Sequence, residues 1–306
     1  ADAPGLAADS AARLAASLCA GIGGHAAQRD LGPLHFAYRP LARDHALARA
    51  WRPAELPDGR IAAFHGYFDN AAAIAAELGA GGADHARLYA LAVGRWGDEA
   101  DLRIVGEYCA VIADPAQAAL RLSRSPLRAP PLAYACHDGF VAAASVPRAL
   151  FAAGVPQRLN EARAADSALL HFTDEESSWF LDVARVPIGA VVELRPGRPR
   201  ALRRYYDMAR LPDVRLGSDA EYLERAEELF GQAVRACIAG SKRPGSTLSS
   251  GLDSSQVVVR TLRALGPDGR LPTFTFHPEA GWDGINEGGM LGNERPWVEE
   301  FAAMHP

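Results

Sequence analysis

Between residues 246 and 277 the hydrophobic period changes twice, and that change restricts the fold more than any other feature of the chain. An apolar strand is predicted at Ser246 to Ser249, a helix from Ser254 to Leu265, and a second strand at Thr273 to His277. Strand, helix, strand is the unit of a parallel sheet, because two parallel strands need a crossover between them. The turn from the first strand into the helix reads "LSSGLDSS", Leu248 to Ser255. At the carboxyl end of a strand in an open α/β sheet, such a turn presents the unpartnered first N–H groups of a helix, which attract anions. Gly251 lets backbone approach a ligand, and the hydroxyls of Ser249, Ser250, Ser254 and Ser255 can donate to phosphate oxygens. Asp253 is the odd member. Taken alone it reads as an ordinary helix cap; beside phosphate it is repulsive unless a cation lies between, which implies a divalent ion, Mg²⁺. No lysine stands in the turn, so it is not a Walker loop, and a G-x-S-x-G nucleophile elbow is also absent.

The rest of the composition narrows the class. A chain of 306 residues that is 49% hydrophobic predicts about two domains with real cores. Its net charge of -5 gives no overall basic field for nucleic acid, although arginines cluster locally from Arg195 to Arg204. Lys242 is the sole lysine, which we read as coding bias. Cys19, Cys109, Cys136 and Cys237 are far apart and suggest neither a zinc site nor a disulfide framework, so a reducing cytoplasm is expected. Asp2, Asp9 and Arg13 interrupt the Ala-rich opening and deny it the core of a signal peptide. No run approaches the ~20 apolar residues of a membrane span.

From Arg60 to Tyr206 the pattern is one of short strands with turns between them. Ile61 to Phe68, Tyr108 to Ala113, Leu120 to Ser123, Leu132 to Cys136 and Val141 to Ser145 are predicted strands, punctuated by "DPAQ" and "HDG", and Val191 to Leu194 with Ala201 to Tyr205 reads as a hairpin. Helices are predicted in "DHARLYALAVGRWG", with Asp84 as N-cap and Gly97 as stop, and in "NEARAADSALLHF". This is an α+β pattern. After a linker at Leu211 to Gly217, a helix opens with Ser218 and Glu221 at capping-box spacing, carries Leu223, Ala226, Phe230, Ala233 and Cys237 on one face, and stops at Gly240. A last helix is expected around Arg295 to Met304. Two strands do not make a stable doubly wound domain, so the second domain is expected to be truncated.

"LSSGLDSS" resembles the S-G-G-x-D-S pyrophosphate loop of ATP pyrophosphatases, specifically the L-S-G-G-L-D-S form of the asparagine synthetase family, with Ser250 in place of the first glycine. Upstream, "HGYFDN" (His65 to Asn70), "GEYCAVIAD", "RSPLRAPPLAY", "ASVPRALF" and "VPIGAVVEL…RRYYD" resemble, in order, segments of that family's glutaminase half. The resemblance implies an αββα domain of the Ntn-hydrolase type over 1–210, an α+β fold resembling class II glutamine amidotransferases. It implies an α/β parallel-sheet ATP pyrophosphatase domain of the adenine nucleotide α-hydrolase type over 218–306.

It further implies that Ser249, Ser250, Gly251, Ser254 and Ser255 hold the β- and γ-phosphates of ATP, next to Leu248. Asp253 would bind Mg²⁺, and the strand Thr273 to Phe276, with Thr275 and Phe276 as its site residues, would offer backbone to adenine. Residues completing the site would lie beyond Pro306. The family's glutaminase needs an N-terminal cysteine and an oxyanion asparagine. Here Ala1 and His65 stand at those positions, and Ser125 and Arg128 replace the Asp and Gly of R-D-x-x-G, so no glutamine hydrolysis is expected. Members without glutaminase resemble β-lactam synthetases or lasso peptide cyclases. A lasso cyclase forming a macrolactam by adenylation in the biosynthesis of a ribosomally made peptide is favoured. The partners would then be a precursor peptide or small amino acid and a leader-peptide-binding or protease partner, with neither nucleic acid nor membrane. Trp282 and Trp297 could touch a peptide, with a packed aromatic as the favoured reading of each.

Overall fold

A computed structural model of the chain describes residues 8–40, 52–137, 139–171, 174–239, 241–279, 281–282 and 292–305. It divides into two compact units, Ala1–Pro212 and Asp213–Pro306.

In the first unit, period-2 alternation dictates the layers. The strands β1 (Ala27–Leu31), β2 (Leu34–Tyr38), β3 (Ala54–Glu55), β4 (Ile61–Gly66), β5 (Tyr108–Asp114), β6 (Ala119–Arg124), β7 (Ala133–His137), β8 (Phe140–Ala144), β9 (Ala184–Arg185), β10 (Ala190–Leu194) and β11 (Ala201–Arg204) are all antiparallel where they pair. Among the described residues they form a six-stranded sheet in the order β11-β10-β6-β5-β4-β3, a three-stranded sheet β8-β7-β9, and the hairpin β1-β2.

On β5, Tyr108, Ala110 and Ile112 point to one face, where they pack with Phe64 of β4 and with Ile74, Leu88 and Tyr89. These last three come from α2 (Ala71–Glu77) and α3 (His85–Trp96). The alternate residues Cys109 and Ala113 point to the other face and meet Leu122, Val192 and Leu194 with Tyr134 of the smaller sheet. That smaller sheet turns Ala133 and Ala135 outward onto Leu150 of α5 (Pro147–Ala152). Helix, sheet, sheet, helix is therefore the layering of this unit, with two apolar faces buried for each sheet.

Local chemistry sets the ends. α3 begins after Asp84 and stops at Gly97, whose φ of 56° suits a residue without Cβ. α6 (Glu161–Ala168) is capped by Asn160, whose side chain accepts from Arg163 N. It is shorter than the predicted "NEARAADSALLHF", of which Phe172 lies outside the described residues, as does Asp138 of "HDG". α1 (Ala8–Cys19) ends at Cys19, and α4 (Ala100–Arg103), α2, α5 and the β1-β2 hairpin are elements that the sequence pattern does not mark.

The tightest point is where β4 ends and β5 begins. A Cβ on Gly66 (φ +130°) would lie 2.0 Å from the Glu107 carbonyl oxygen, and one on Gly106 (φ +157°) 2.0 Å from that of Tyr67, so only glycine fits either position.

The second unit holds α7 (Asp219–Ile238), β12 (Ser246–Thr247), α8 (Leu252–Leu265), β13 (Thr273–Phe274) and α9 (Arg295–Met304). Ser218 Oγ accepts from Glu221 N at 3.3 Å, and the Glu221 carboxylate reaches back to Gly217 N at 3.0 Å, one residue earlier than a capping box predicts. The buried row of α7 differs from the predicted face. Val234 is buried and Phe230 and Ile238 are half-buried, whereas Leu223 is 68% exposed and Cys237 is exposed. The i, i+4, i+8 row of large side chains wins over a row that included two alanines. The predicted stop Gly240 lies outside the described residues.

β12 and β13 are parallel, Ser246 opposite Thr273 and Thr247 opposite Phe274, with α8 as the crossover. Both strands are shorter than predicted. Leu248 N still donates to Phe274 O at 3.0 Å, but Ser249 N turns to Ser254 Oγ and the ladder ends. Leu248, Val258 and Val298 form the buried core that joins strand, α8 and α9.

Candidate functional site

The segment from Leu248 to Ser255 makes the turn from β12 into α8. Leu248 is buried and anchors it. Ser249 and Ser254 are tied together, Oγ to Oγ at 2.9 Å, and Ser254 Oγ accepts from Ser249 N at 3.0 Å. Ser255 Oγ donates to Gly251 O at 2.8 Å, and Gly251 N donates to Ser249 Oγ at 3.2 Å. Three of the four predicted hydroxyl donors thus shape the bend itself, and Ser250 alone has its hydroxyl outside this lattice.

Gly251 is the N-cap of α8 with extended backbone, φ -76° and ψ 152°, and no side-chain cap bond. The cap alternative for Asp253 therefore does not hold: it stands in the first turn, exposed, where its charge suits the helix dipole. The N–H groups of Leu252, Asp253 and Ser254 precede the first helical bond, Ser255 N to Gly251 O, and so have no acceptor within the helix. These free donors, a side-chain-free approach at Gly251, and one carboxylate fit an anionic polyphosphate.

Among the described residues no group of three or more His, Cys, Asp or Glu could hold a metal. Asp253 is a single carboxylate, and a Mg²⁺ ion usually binds through one or two carboxylates plus phosphate oxygens and water.

On the neighbouring chain segment, Thr275 Oγ1 donates to Leu248 O at 2.9 Å and fixes the two strand ends side by side. Thr275 and Phe276 lie past the end of β13, and Phe276 is 93% exposed. Trp282 and Trp297 are 39% and 47% exposed, so neither is the packed aromatic expected. Asn293 Oδ1 accepts from Arg295 N at 3.1 Å at the start of α9. A contact that sequence reasoning missed sits here: Ser250 N donates to the Glu294 carboxylate at 3.0 Å, across 44 residues. No local spacing signals such a pair.

In the first unit lie the positions compared above with a glutaminase. His65 and Cys109 are cross-strand partners on β4 and β5. Both line a chamber of about 1460 Å³ that also involves Val111, Leu132, Phe36 and Phe140. Burial pushes the Cys109 thiol up to about 12 and lowers the His65 imidazole, so neither group carries charge at neutral pH. A neutral thiol is a poor nucleophile.

Ser125 is fully buried, its Oγ accepting from Tyr108 N at 2.8 Å and donating to Arg128 O at 3.1 Å. Arg124 serves three carbonyls, of Ala129, Pro130 and Val186, at 2.7 to 2.9 Å. The "RSPLRAPPLAY" segment is therefore held by its own backbone contacts. In the arginine cluster, Arg200, Arg203 and Arg204 form ion pairs with Glu176, Asp98 and Glu175.

Between the six-stranded sheet and its helices, Asp101 is buried and accepts from Arg121 Nη2 and Ser123 Oγ at 2.5 Å each, Tyr108 OH at 3.0 Å and Tyr89 OH at 3.1 Å. Burial, with the Asp101 charge adding to it, raises both phenols well above their ordinary range, which keeps them protonated and donating. Among the described residues no helix is long and apolar enough to cross a membrane.

Comparison with known proteins bears mainly on the second unit. No curated protein matches the chain. Solved structures similar to it include two with low TM-scores. One is a glutamine phosphoribosylpyrophosphate (PRPP) amidotransferase from B. subtilis complexed with ADP and GMP, 14% identical, covering 73% of this chain and 47% of that chain with a TM-score of 0.36. The other is described as the allosteric regulatory enzyme of purine biosynthesis, 14% identical, covering 82% of this chain and 51% of that chain with a TM-score of 0.35. The chain spans about half the length of these proteins. Residues 225–306, which contain the Leu248 to Ser255 bend, α8 and α9, match the family model described as asparagine synthase, and this supports the asparagine synthetase family for that stretch.

Proposed function

We propose that the chain is, or is part of, an ATP-dependent amide-forming synthetase, and that the Leu248–Ser255 bend grips the pyrophosphate end of ATP. The observation that carries this reading is the bend itself, at the end of a parallel strand, with the N–H groups of Leu252, Asp253 and Ser254 unserved by the helix, inside the stretch that matches the asparagine synthase model.

In the proposed reaction a substrate carboxylate oxygen attacks the α-phosphorus of ATP, the bond to the β-phosphate oxygen breaks, and pyrophosphate leaves. An amine nitrogen then attacks the acyl carbon of the adenylate, the bond to AMP breaks, and the nitrogen gives up a proton to complete the amide. The bend's part is to bind and orient the departing diphosphate. Its N–H groups meet the growing negative charge, and Asp253 would hold an accompanying Mg²⁺ that supplies charge neutralisation at the phosphates. Ser249, Ser254 and Ser255 keep the N–H groups in position, and Ser250 is the hydroxyl left to touch ligand. Leu248 anchors the bend in the core, and the backbone of Thr275 and Phe276 is proposed to meet adenine.

We further propose that the amine comes from the substrate rather than from glutamine. The support is the uncharged state of Cys109 and His65, the burial of Cys109 and the structural employment of Ser125. That favours an internal ring closure, a macrolactam in a ribosomally made peptide, with a precursor peptide and a leader-binding or protease partner. Asparagine or β-lactam synthesis on a small amino acid is the second reading, and a binding protein on an inactive scaffold the third.

Incubation with ATP, Mg²⁺ and candidate substrates separates them. AMP with a peptide lighter by one water supports the first, AMP with a small amino acid only supports the second, and nucleotide binding without turnover supports the third. Release of ADP contradicts both enzymatic readings.

A further inference from the structure

The contact between Ser250 and Glu294 puts an acidic side chain on a backbone donor of the bend, one residue before the N-cap Gly251. Glu294 is half-buried, and among the described residues the only partner of its carboxylate is Ser250 N–H, at 3.0 Å. The adjacent cation does not neutralise it, because Arg295 Nε is engaged with Glu299 Oε1 at 2.6 Å, one turn further along α9. The backbone of Glu294 belongs to that helix: its carbonyl accepts from Val298 N at 3.1 Å, and Val298 is buried in the core with Leu248 and Val258. The side chain therefore links the bend to the first turn of α9 and to the packing behind it.

We propose that Glu294 is a stand-in anion: its carboxylate occupies the Ser250 N–H while the bend is empty and is driven off by the phosphate of an incoming nucleotide, so that α9 senses occupancy of the bend. This rests on the reading of the bend as a pyrophosphate cradle. One N–H cannot serve a carboxylate and a phosphoryl oxygen together, and two anions sharing it would repel at contact distance. Charged acceptors make the stronger hydrogen bonds, so displacing this one weakens nucleotide binding, while its presence keeps the donor aimed outward in the empty state. Glu294 is thus a positioning residue, and Trp297, on the same turn of α9 and half exposed, is the built-in reporter.

The test uses the whole chain with Mg²⁺ and inorganic pyrophosphate, and separately Mg²⁺ and ATP, in calorimetric titrations of the unaltered protein, Glu294→Gln and Glu294→Ala. Tryptophan emission is followed in parallel, with Trp297→Phe identifying the signal. The expected result is that both variants bind pyrophosphate about tenfold tighter, and that the Trp297 emission change seen on binding is lost in Glu294→Ala. A merely structural Glu294 would give equal or weaker binding in the variants with the Trp297 response intact, and that outcome overturns the inference while leaving the cradle standing. If neither the unaltered protein nor either variant binds pyrophosphate or ATP, the cradle fails and the inference with it.

Discussion

Replacing Asp101 by alanine is the sharpest test of how the first unit is held together. The side chain is fully buried and receives four donors, from Arg121, Ser123, Tyr89 and Tyr108. Removing one partner of a buried ion pair costs about 3–5 kcal/mol, because the other charge stays behind without compensation. Each stranded hydroxyl adds roughly 1 kcal/mol at the low end, and Arg121, with a side chain 13% exposed, recovers part of the loss by reaching water. The net is set at about 4 kcal/mol. With a urea slope of about 3 kcal/mol per M, the midpoint falls by a little over 1 M.

The assay is urea unfolding followed by emission of Trp96, which packs on the same core and lies under the Arg103 guanidinium at 4.8 Å. Asp101→Asn keeps one acceptor oxygen and falls between the two proteins. The pair Asp101→Leu with Arg121→Leu recovers most of the stability, since two apolar groups leave no orphaned charge. A loss below about 1 kcal/mol for the alanine variant would refute the reasoning, because it would mean the network is not the buried keystone its geometry implies.

Further expectations follow from the same contacts. Gly66→Ala drives a Cβ to within 2.0 Å of the Glu107 carbonyl and is expected to cost more than about 3 kcal/mol or to abolish folding, read by the same urea curves; Gly81→Ala, with nothing within 4 Å, is the neutral control. Cys109, with its thiol held near 12 by burial, stays unlabelled by iodoacetamide up to pH 9 in the folded protein and reacts once urea unfolds it, as mass spectrometry of the peptide shows. The sign for stability follows. The folded thiol keeps its proton above the ordinary value of 9.0 while the unfolded one loses it, so this contribution is intact below pH 9 and is lost between 9 and 12. Asp253→Asn removes most AMP release while leaving the free energy of unfolding, from the same urea curves, within about 0.5 kcal/mol of the original, because the side chain is exposed in the first turn of α8.

The sequence made the strands of the first unit legible wherever apolar residues alternated, as from Tyr108 to Asp114, and made the strand, turn and helix around Ser249 legible through residue chemistry alone. It hid what depends on distant partners. β1 carries Gln28, Arg29 and Asp30 at exposed positions, so no apolar period marks it, and it exists by pairing with β2. α2 is a seven-residue alanine-rich helix whose N-cap Asn70 uses its side chain on Arg103 O and Val105 N rather than on its own first turn, so the local cap signal is misleading. The Asp101 network and the Glu294 contact join residues 7 to 44 positions apart, at spacings with no periodic signature. The buried face of α7 departs from the predicted row because burial energy scales with area, and alanine contributes less of it than Phe230, Val234 and Ile238.

The measurement that tests the central claim most directly is a crystal structure of the chain soaked with Mg²⁺ and a non-hydrolysable ATP analogue. The account predicts triphosphate oxygens on the N–H groups of Leu252 to Ser254, with the metal between them and Asp253. Triphosphate density bound elsewhere, with the bend unchanged and its donors facing water, would contradict it.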